Sequence, residues 1–347
     1  MRHILAHSVL ATLLMQFASH GHAQTEIVDA FLLPEPLEMK QPIYPFFEQR
    51  DGHEGVVDVH FMVDEQGKAF EPTVTYSMGS DRFHDAAIKA VLDSRFKPAM
   101  KNGKPIVGSM IFSYRFHVDE EAATGARPLF SRRYQRFNKA MAQNDLENAK
   151  ERLDALLEYG SVNMYEHAFL GLAQYYFAAS TGDTQGAQLD FIQQALNNAT
   201  AEEHRVYLDE EQVRELRRGQ FVLQVSERYF ADAVKTYEWI DEAGDTEGVA
   251  LLQATYQQLL ALKESDQAYS LPLTVGSKGV QFLKLFKHHM YITELTGTVS
   301  ELKLRCDTQY ISLPAEVDFS YDIPPAWGDC SLQILGDPDS TFILVQH

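Results

Sequence analysis

Across residues 55–118 the hydrophobic period of the chain switches from two to 3.6 and back to two, and such a switch in so short a stretch admits few folds. In residues 55–64, Val57, Val59, Phe61 and Val63 alternate with Asp58, His60 and Met62, the pattern of a half-buried strand. Asp64-Glu65-Gln66-Gly67 supplies a turn, and a second extended run sets Phe70, Val74 and Tyr76 against Glu71, Thr73 and Thr75. Pro72 has no N–H to give a ladder, which predicts an edge or a bulge there. Ser80-Asp81 offers an N-cap, and Phe83, Ala86, Ala87, Ala90 and Val91 recur at helical spacing, with Pro98 as the expected stop. Beyond an Asn102-Gly103 turn, residues 106–118 are the longest strand candidate. Met110, Phe112, Tyr114 and Phe116 fall on one face of it, and Ser109, Ile111, Ser113, Arg115 and His117 on the other.

The ordered set Gln41-Pro42-x-Tyr44-Pro45, Glu54-Gly55-Val56-Val57-x-Val59-x-Phe61-x-Val63-Asp64-x-x-Gly67, Phe83-x-x-Ala86-Ala87-x-x-Ala90-Val91 and Arg95-Phe96-Lys97-Pro98-Ala99-x-x-Asn102-Gly103-Lys104-Pro105 resembles the C-terminal domain of the TonB family of energy-transducing periplasmic proteins. The resemblance implies a three-stranded antiparallel sheet with helices packed on one face. It also implies a role in binding an extended peptide of an outer-membrane receptor by adding it as a strand to an open sheet edge. Carried onto this chain, that role falls to Gln41 and Tyr44 beside the groove and to Ser109, Ile111 and Ser113 along the edge, with Tyr44 equally able to pin the chain onto the sheet. A TonB transducer carries a long proline-rich spacer before this domain. Here the stretch from Ala23 to Pro42 spans at most ~60 Å, short for transmitting force across a periplasm.

Residues 1–23 read as a secretory signal: Arg2 gives a positive start, residues 4–18 are mostly apolar, and Gly21-His22-Ala23 is a small-x-small cleavage site. The expected mature chain starts at Gln24, is periplasmic and has no stable membrane span; the alternative is an uncleaved inner-membrane anchor. The formal net charge of −19 argues against nucleic acid and anionic membranes as general partners.

Three further segments follow the TonB-like domain and its lead-in, residues 24–118. Residues 119–128 read as a linker. Residues 129–268 are helical in pattern, with turn signals at Asn144-Asp145, Gly182-Asp183 and Gly244-Asp245 ahead of apolar helical faces. Helix, Gly-Asp turn, helix resembles tetratricopeptide-type hairpins in degenerate form, with a simple helical bundle as the alternative. Residues 269–347 read as a small all-β domain with little core. Cys306 and Cys330 are the only cysteines. In an exported protein a disulfide between them would add about 3 kcal/mol. The fold class is thus α+β multidomain.

No catalytic constellation, metal set or cofactor motif stands out. His288-His289 are consecutive, which on a strand sends their side chains to opposite faces. His60 and His117, on the polar faces of two strands, have no further ligand type at coordinating spacing. Two function classes remain. One is a non-enzymatic binding or transducing protein that pairs with an extended peptide, its other domains recruiting a second protein. The other is an exported hydrolase or carbohydrate-binding protein in which the TonB-like domain is a platform.

Overall fold

The computed structural model describes residues 31–118, 125–198 and 207–347. The signal segment and most of the expected linker lie outside the described residues. The architecture is α+β: a three-stranded sheet near the N-terminus, a helical region, and an all-β region closed by a disulfide.

The lead-in is extended. β1 (Phe31–Leu32) pairs with β6 (Ala99–Lys101), and β2 (Glu35–Glu38) with β5 (Arg95–Lys97). Leu32 and Leu33 are nonetheless exposed. After the short helix α1 (Phe46–Asp51), β3 (Gly55–Val63) runs antiparallel to β4 (Ala69–Met78) on one side and to β8 (Gly108–Phe116) on the other. Gly67 turns the first hairpin at φ 78°, and a Cβ there would stand 2.0 Å from the Phe96 carbonyl oxygen, so only glycine fits. Pro72 sits in the edge strand β4, where the register slips beside it as expected.

Helix α2 (Asp81–Asp93) is capped by Ser80, whose hydroxyl accepts from the Arg82 N–H. Its Phe83, Ala87, Ala90 and Val91 pack on Val57, Val59, Phe61, Val63, Tyr114 and Phe116. The helix ends at Asp93, before Pro98 is reached, because the chain turns extended at Ser94, whose hydroxyl donates to the Ala90 carbonyl. The strand expected over residues 106–118 is split. Ile106 closes β7 (Lys104–Ile106), which hairpins with β6 through Asn102-Gly103, and β8 begins at Gly108.

The larger departure concerns β3. Its period-two pattern predicts one wet face, yet Val56, His60 and Met62 are as buried as the residues facing α2. The rest of the chain covers that second face. Phe282 meets the His60 ring edge to face at 5.2 Å, Met164 and Tyr207 pack on Val56 and Met78, and Asn198 Nδ2 donates to Tyr76 Oη at 2.7 Å.

The helical region comprises α3 (Pro128–Ala142), α4 (Leu146–Tyr159), α5 (Met164–Thr181), α6 (Gln185–Asn197), α7 (Glu210–Ser226), α8 (Phe230–Glu242) and α9 (Thr246–Glu264). All three expected turns are present, and their polar residues are helix caps: Asp145 accepts from Asn148 N–H, Thr184 from Ala187 N–H, and Asp245 from Gly248 N–H. A fourth turn, between α7 and α8, has no glycine; Arg228 takes the left-handed conformation at φ 63°.

The all-β region is a sandwich of two four-stranded sheets. One has the order β10 (Val280–Lys284), β15 (Cys330–Gly336), β12 (Val299–Cys306), β13 (Tyr310–Pro314). The other has the order β14 (Tyr321–Asp322), β11 (His289–Thr296), β16 (Thr341–Gln346), β9 (Tyr269–Thr274). Leu302, Leu304, Leu332 and Ile334 of one face Met290, Ile292 and Leu344 of the other, all buried, so the core is fuller than the short apolar runs suggest. Cys306 and Cys330 stand directly opposite on β12 and β15 and are bonded.

Candidate functional site

Strand β8 lies at one edge of the β4-β3-β8 sheet, and among the described residues no strand pairs with its outer side. An antiparallel strand bonds its neighbour through alternate residues, so half of the backbone N–H and C=O groups of β8 face outward. Ile111 is 54% exposed and Ser113 is exposed too, which leaves the middle of this edge accessible. Ser113 Oγ donates to the Asp58 carboxylate on β3. Burial pushes the Asp58 carboxyl above its usual range, with the Ser113 hydroxyl and Arg115 opposing.

At its first half the edge opens into a cavity of about 530 Å³ shared by all three regions of the chain. Ser109, Met110 and Ile111 form one wall; Val234 of α8, Leu260 of α9 and Leu285 and Phe286 after β10 give it an apolar lining. Lys235, Lys263 and Lys284 stand at it together with Glu238 and Asp329. Lys284 pairs with Asp232 at 3.0 Å, and Lys235 reaches Glu238 at 3.2 Å and Asp329 at 3.8 Å. His60 also lines the cavity and is 3% exposed, and among the described residues its Nδ1 has no hydrogen-bond partner. Desolvation, with Arg305 and Lys284 nearby, pushes its pKa down to about 3, so the ring is neutral near pH 7. The arrangement can take an extended backbone along β8 and a side chain of that backbone into an apolar chamber with basic residues at its wall.

The expected site residues do not all meet. Ser109 and Ile111 line the cavity, whereas Ser113 lies beyond it, bonded to Asp58. Tyr44 sits at the other end of β8. Its hydroxyl donates to the His53 carbonyl at 2.7 Å, and its ring meets Phe83 and Phe116 edge to face at 5.7 and 5.6 Å. Burial, reinforced by Glu54 and Glu48, pushes the phenol well above its ordinary value. Tyr44 therefore anchors the lead-in to the sheet, while Gln41, three residues earlier, is exposed. His60 and His117 are far apart in register: His60 faces Ile111, and His117 follows Phe116, which faces Gly55.

Arg305 escaped the sequence reading. It is 1% exposed and donates to the Glu71 carbonyl at 2.8 Å, to Thr73 Oγ1 at 3.2 Å and to Gln333 Oε1 at 2.9 Å, so β12 clamps β4. The alternation of Leu302 and Leu304 with Lys303 and Arg305 does mark a second face of β12. What that face meets lies more than two hundred residues away in sequence.

Residues 40–118 match the family model of the Gram-negative bacterial TonB protein C-terminal. That TonB-type stretch contains β3, β4, α2 and β8, and so the whole three-stranded sheet. Among solved structures, the chain is similar to the solution NMR structure of Pseudomonas aeruginosa TonB CTD, with 28% identity and a TM-score of 0.23 over 25% of this chain and 89% of that one. No curated protein matches the chain. Among the described residues no helix is long and apolar enough to cross a membrane.

Proposed function

We propose that this chain is a non-enzymatic protein of the bacterial periplasm that captures an extended peptide segment of an outer-membrane or other envelope partner by strand addition. The observation that carries the proposal is the edge of β8, unpaired among the described residues and accessible at Ile111 and Ser113. The match of residues 40–118 to the TonB C-terminal family supports it, since domains of that family act on outer-membrane proteins. In this reading the main-chain groups of β8 supply affinity, and the chamber at Ser109 and Ile111 selects the side chain that enters it. Residues 24–118 form the peptide-binding unit. The tetratricopeptide-like hairpins of residues 129–268 and the sandwich of residues 269–347 complete its groove and offer a surface to a second protein. Export with cleavage after Ala23 places the disulfide in an oxidising compartment.

Proline substitution tests the proposal, because it deletes one N–H at a time. Ser109→Pro, Ile111→Pro and Ser113→Pro are compared by calorimetry with receptor-derived peptides, with circular dichroism as the check on folding. At least one folded variant whose deleted N–H faced outward is expected to lose peptide binding. If every folded variant binds as the parent does, or the parent binds none of the peptides, the edge is not the site.

A further inference from the structure

A second cavity, of about 510 Å³, lies where α6, α7 and α8 meet β10 and Thr75 of β4. Its wall is mostly polar, and helical spacing makes it so. Gln193 and Asn197 of α6, Gln220 and Gln224 of α7, and Thr236 and Trp239 of α8 stand three or four residues apart, so each helix turns two of them to one side. A helix face that only packs on its neighbours carries apolar residues at that spacing.

Gln220 and Gln224 are the decisive pair, 6% and 7% exposed. Their carbonyl oxygens are occupied: Gln220 Oε1 accepts from Arg217 Nη1 at 2.9 Å, and Gln224 Oε1 accepts from Thr236 Oγ1 at 2.7 Å. Among the described residues neither NH₂ group has an acceptor, yet neither is sealed from solvent as Arg217 Nε is. Both residues line the cavity, which thus holds two amide donors one helical turn apart. Buried donors without acceptors cost stability, so this wall suits a ligand that accepts hydrogen bonds.

The charges at the cavity narrow the choice. Asp190 and Asp232 oppose an anion, and Arg217, Lys235 and Lys284 oppose a cation. Lys284 pairs with Asp232 at 3.0 Å and Lys235 with Glu238 at 3.2 Å, so these charges are largely answered within the chain. A neutral ligand escapes both penalties. Its polar groups have to accept from the glutamine amides and donate to Asp190, and a hydroxyl does both. The half-buried Trp239 adds an aromatic surface for the C–H face of a ring.

We propose that this cavity is a binding site for a neutral saccharide. Its hydroxyls accept from Gln220 and Gln224 Nε2 and donate to Asp190, and its ring packs on Trp239. The site is independent of the strand-addition edge, although Lys235 and Lys284 belong to the walls of both cavities.

Trp239 and Trp327 are the only tryptophans, so a Trp327→Phe background leaves Trp239 as the single reporter at the cavity. The full chain in that background is titrated with glucose, N-acetylglucosamine, maltose and diacetylchitobiose, and with the charged sugars glucuronate and glucosamine. Trp239 fluorescence and calorimetric heat are followed together. At least one neutral sugar is expected to bind saturably with a change in Trp239 emission, and more tightly than either charged sugar. Q220E keeps an oxygen for Arg217 and turns the NH₂ donor into a second acceptor. It is expected to melt no lower than the parent and to bind the sugar about tenfold or more weakly. N197A removes another cavity amide, is expected to weaken binding by about fivefold or more, and decides the point if Q220E fails to fold. Failure of all the neutral sugars, tighter binding of glucuronate or glucosamine, heat without a change in Trp239 emission, or parental affinity in the folded variants would each overturn the assignment.

Discussion

His60 shows how one residue changes meaning between sequence and structure. Its place in the alternation marks it as solvent-facing, and the strand period that sets this face is correctly legible. Phe282 of the sandwich, its own ring lying under Arg305, packs on His60 and turns that face into an interior. The consequence is measurable. The folded pKa is depressed to about 3 while the unfolded value is the ordinary 6.5, so the unfolded chain binds the proton first as pH falls. Stability from a neutral His60 is therefore complete above about pH 6.5 and is lost as pH falls from there toward 3. Chemical denaturation of the parent and of H60Q at pH 7 and pH 4 checks this. The parent is expected to lose roughly 2–3 kcal/mol more than the variant over that interval. Equal losses would mean that His60 is protonated in the folded chain. Tyr44 is the opposite case: both of its weighed roles were readable from the sequence, and its bond to the His53 carbonyl makes it an anchor.

At the scale of elements, the helical hairpins were legible because each turn announces itself chemically. Asp145, Thr184 and Asp245 satisfy N–H groups that a helix start leaves open, and these residue types are recognisable in a single sequence. The α7–α8 turn was missed because Arg228, an ordinary helix former, adopts the left-handed conformation there. How one hairpin is tied to the next was not legible either. Glu166, fully buried in the first turn of α5, accepts from the backbone N–H, Nε and Nη2 of Arg127 at the start of α3, and from Val162 N–H. Arg127 and Glu166 are thirty-nine residues apart, and no pattern links them. E166Q leaves the Arg127 charge half-buried without its partner and is expected to cost about 3 kcal/mol or more in thermal unfolding. A loss below 1 kcal/mol would show that the hairpins are held by their apolar seam alone.

For the whole molecule, the sequence separates three textures well and says little about their assembly. The sheet of residues 55–118, the run of helices and the terminal strands are each readable from periodicity. The cavities and the buried second face of β3 arise only where these regions meet. Arg305 and Lys303 of β12, bound to Glu71 and Thr73 of β4, hold the sandwich on the sheet. R305M removes the two hydrogen bonds by which Arg305 reaches β4 and strands the Glu71 carbonyl, so about 2–3 kcal/mol of coupling is at stake. Calorimetric scanning of R305M is expected to split one transition into two. A single transition at the parental temperature would mean that apolar contacts alone join the regions.

The peptide-binding edge is the central claim, and backbone amide exchange along β8 tests it most directly. Exchange of residues 109–116 is followed by NMR in the full chain, with and without a receptor-derived peptide at saturating concentration. Strand addition predicts that the outward-facing amides of β8, alternating with those already bonded to β3, become slower to exchange by about tenfold or more when peptide is added, while amides of β4 at the opposite edge do not change. Saturated binding that leaves every β8 amide exchanging at its original rate would contradict the account.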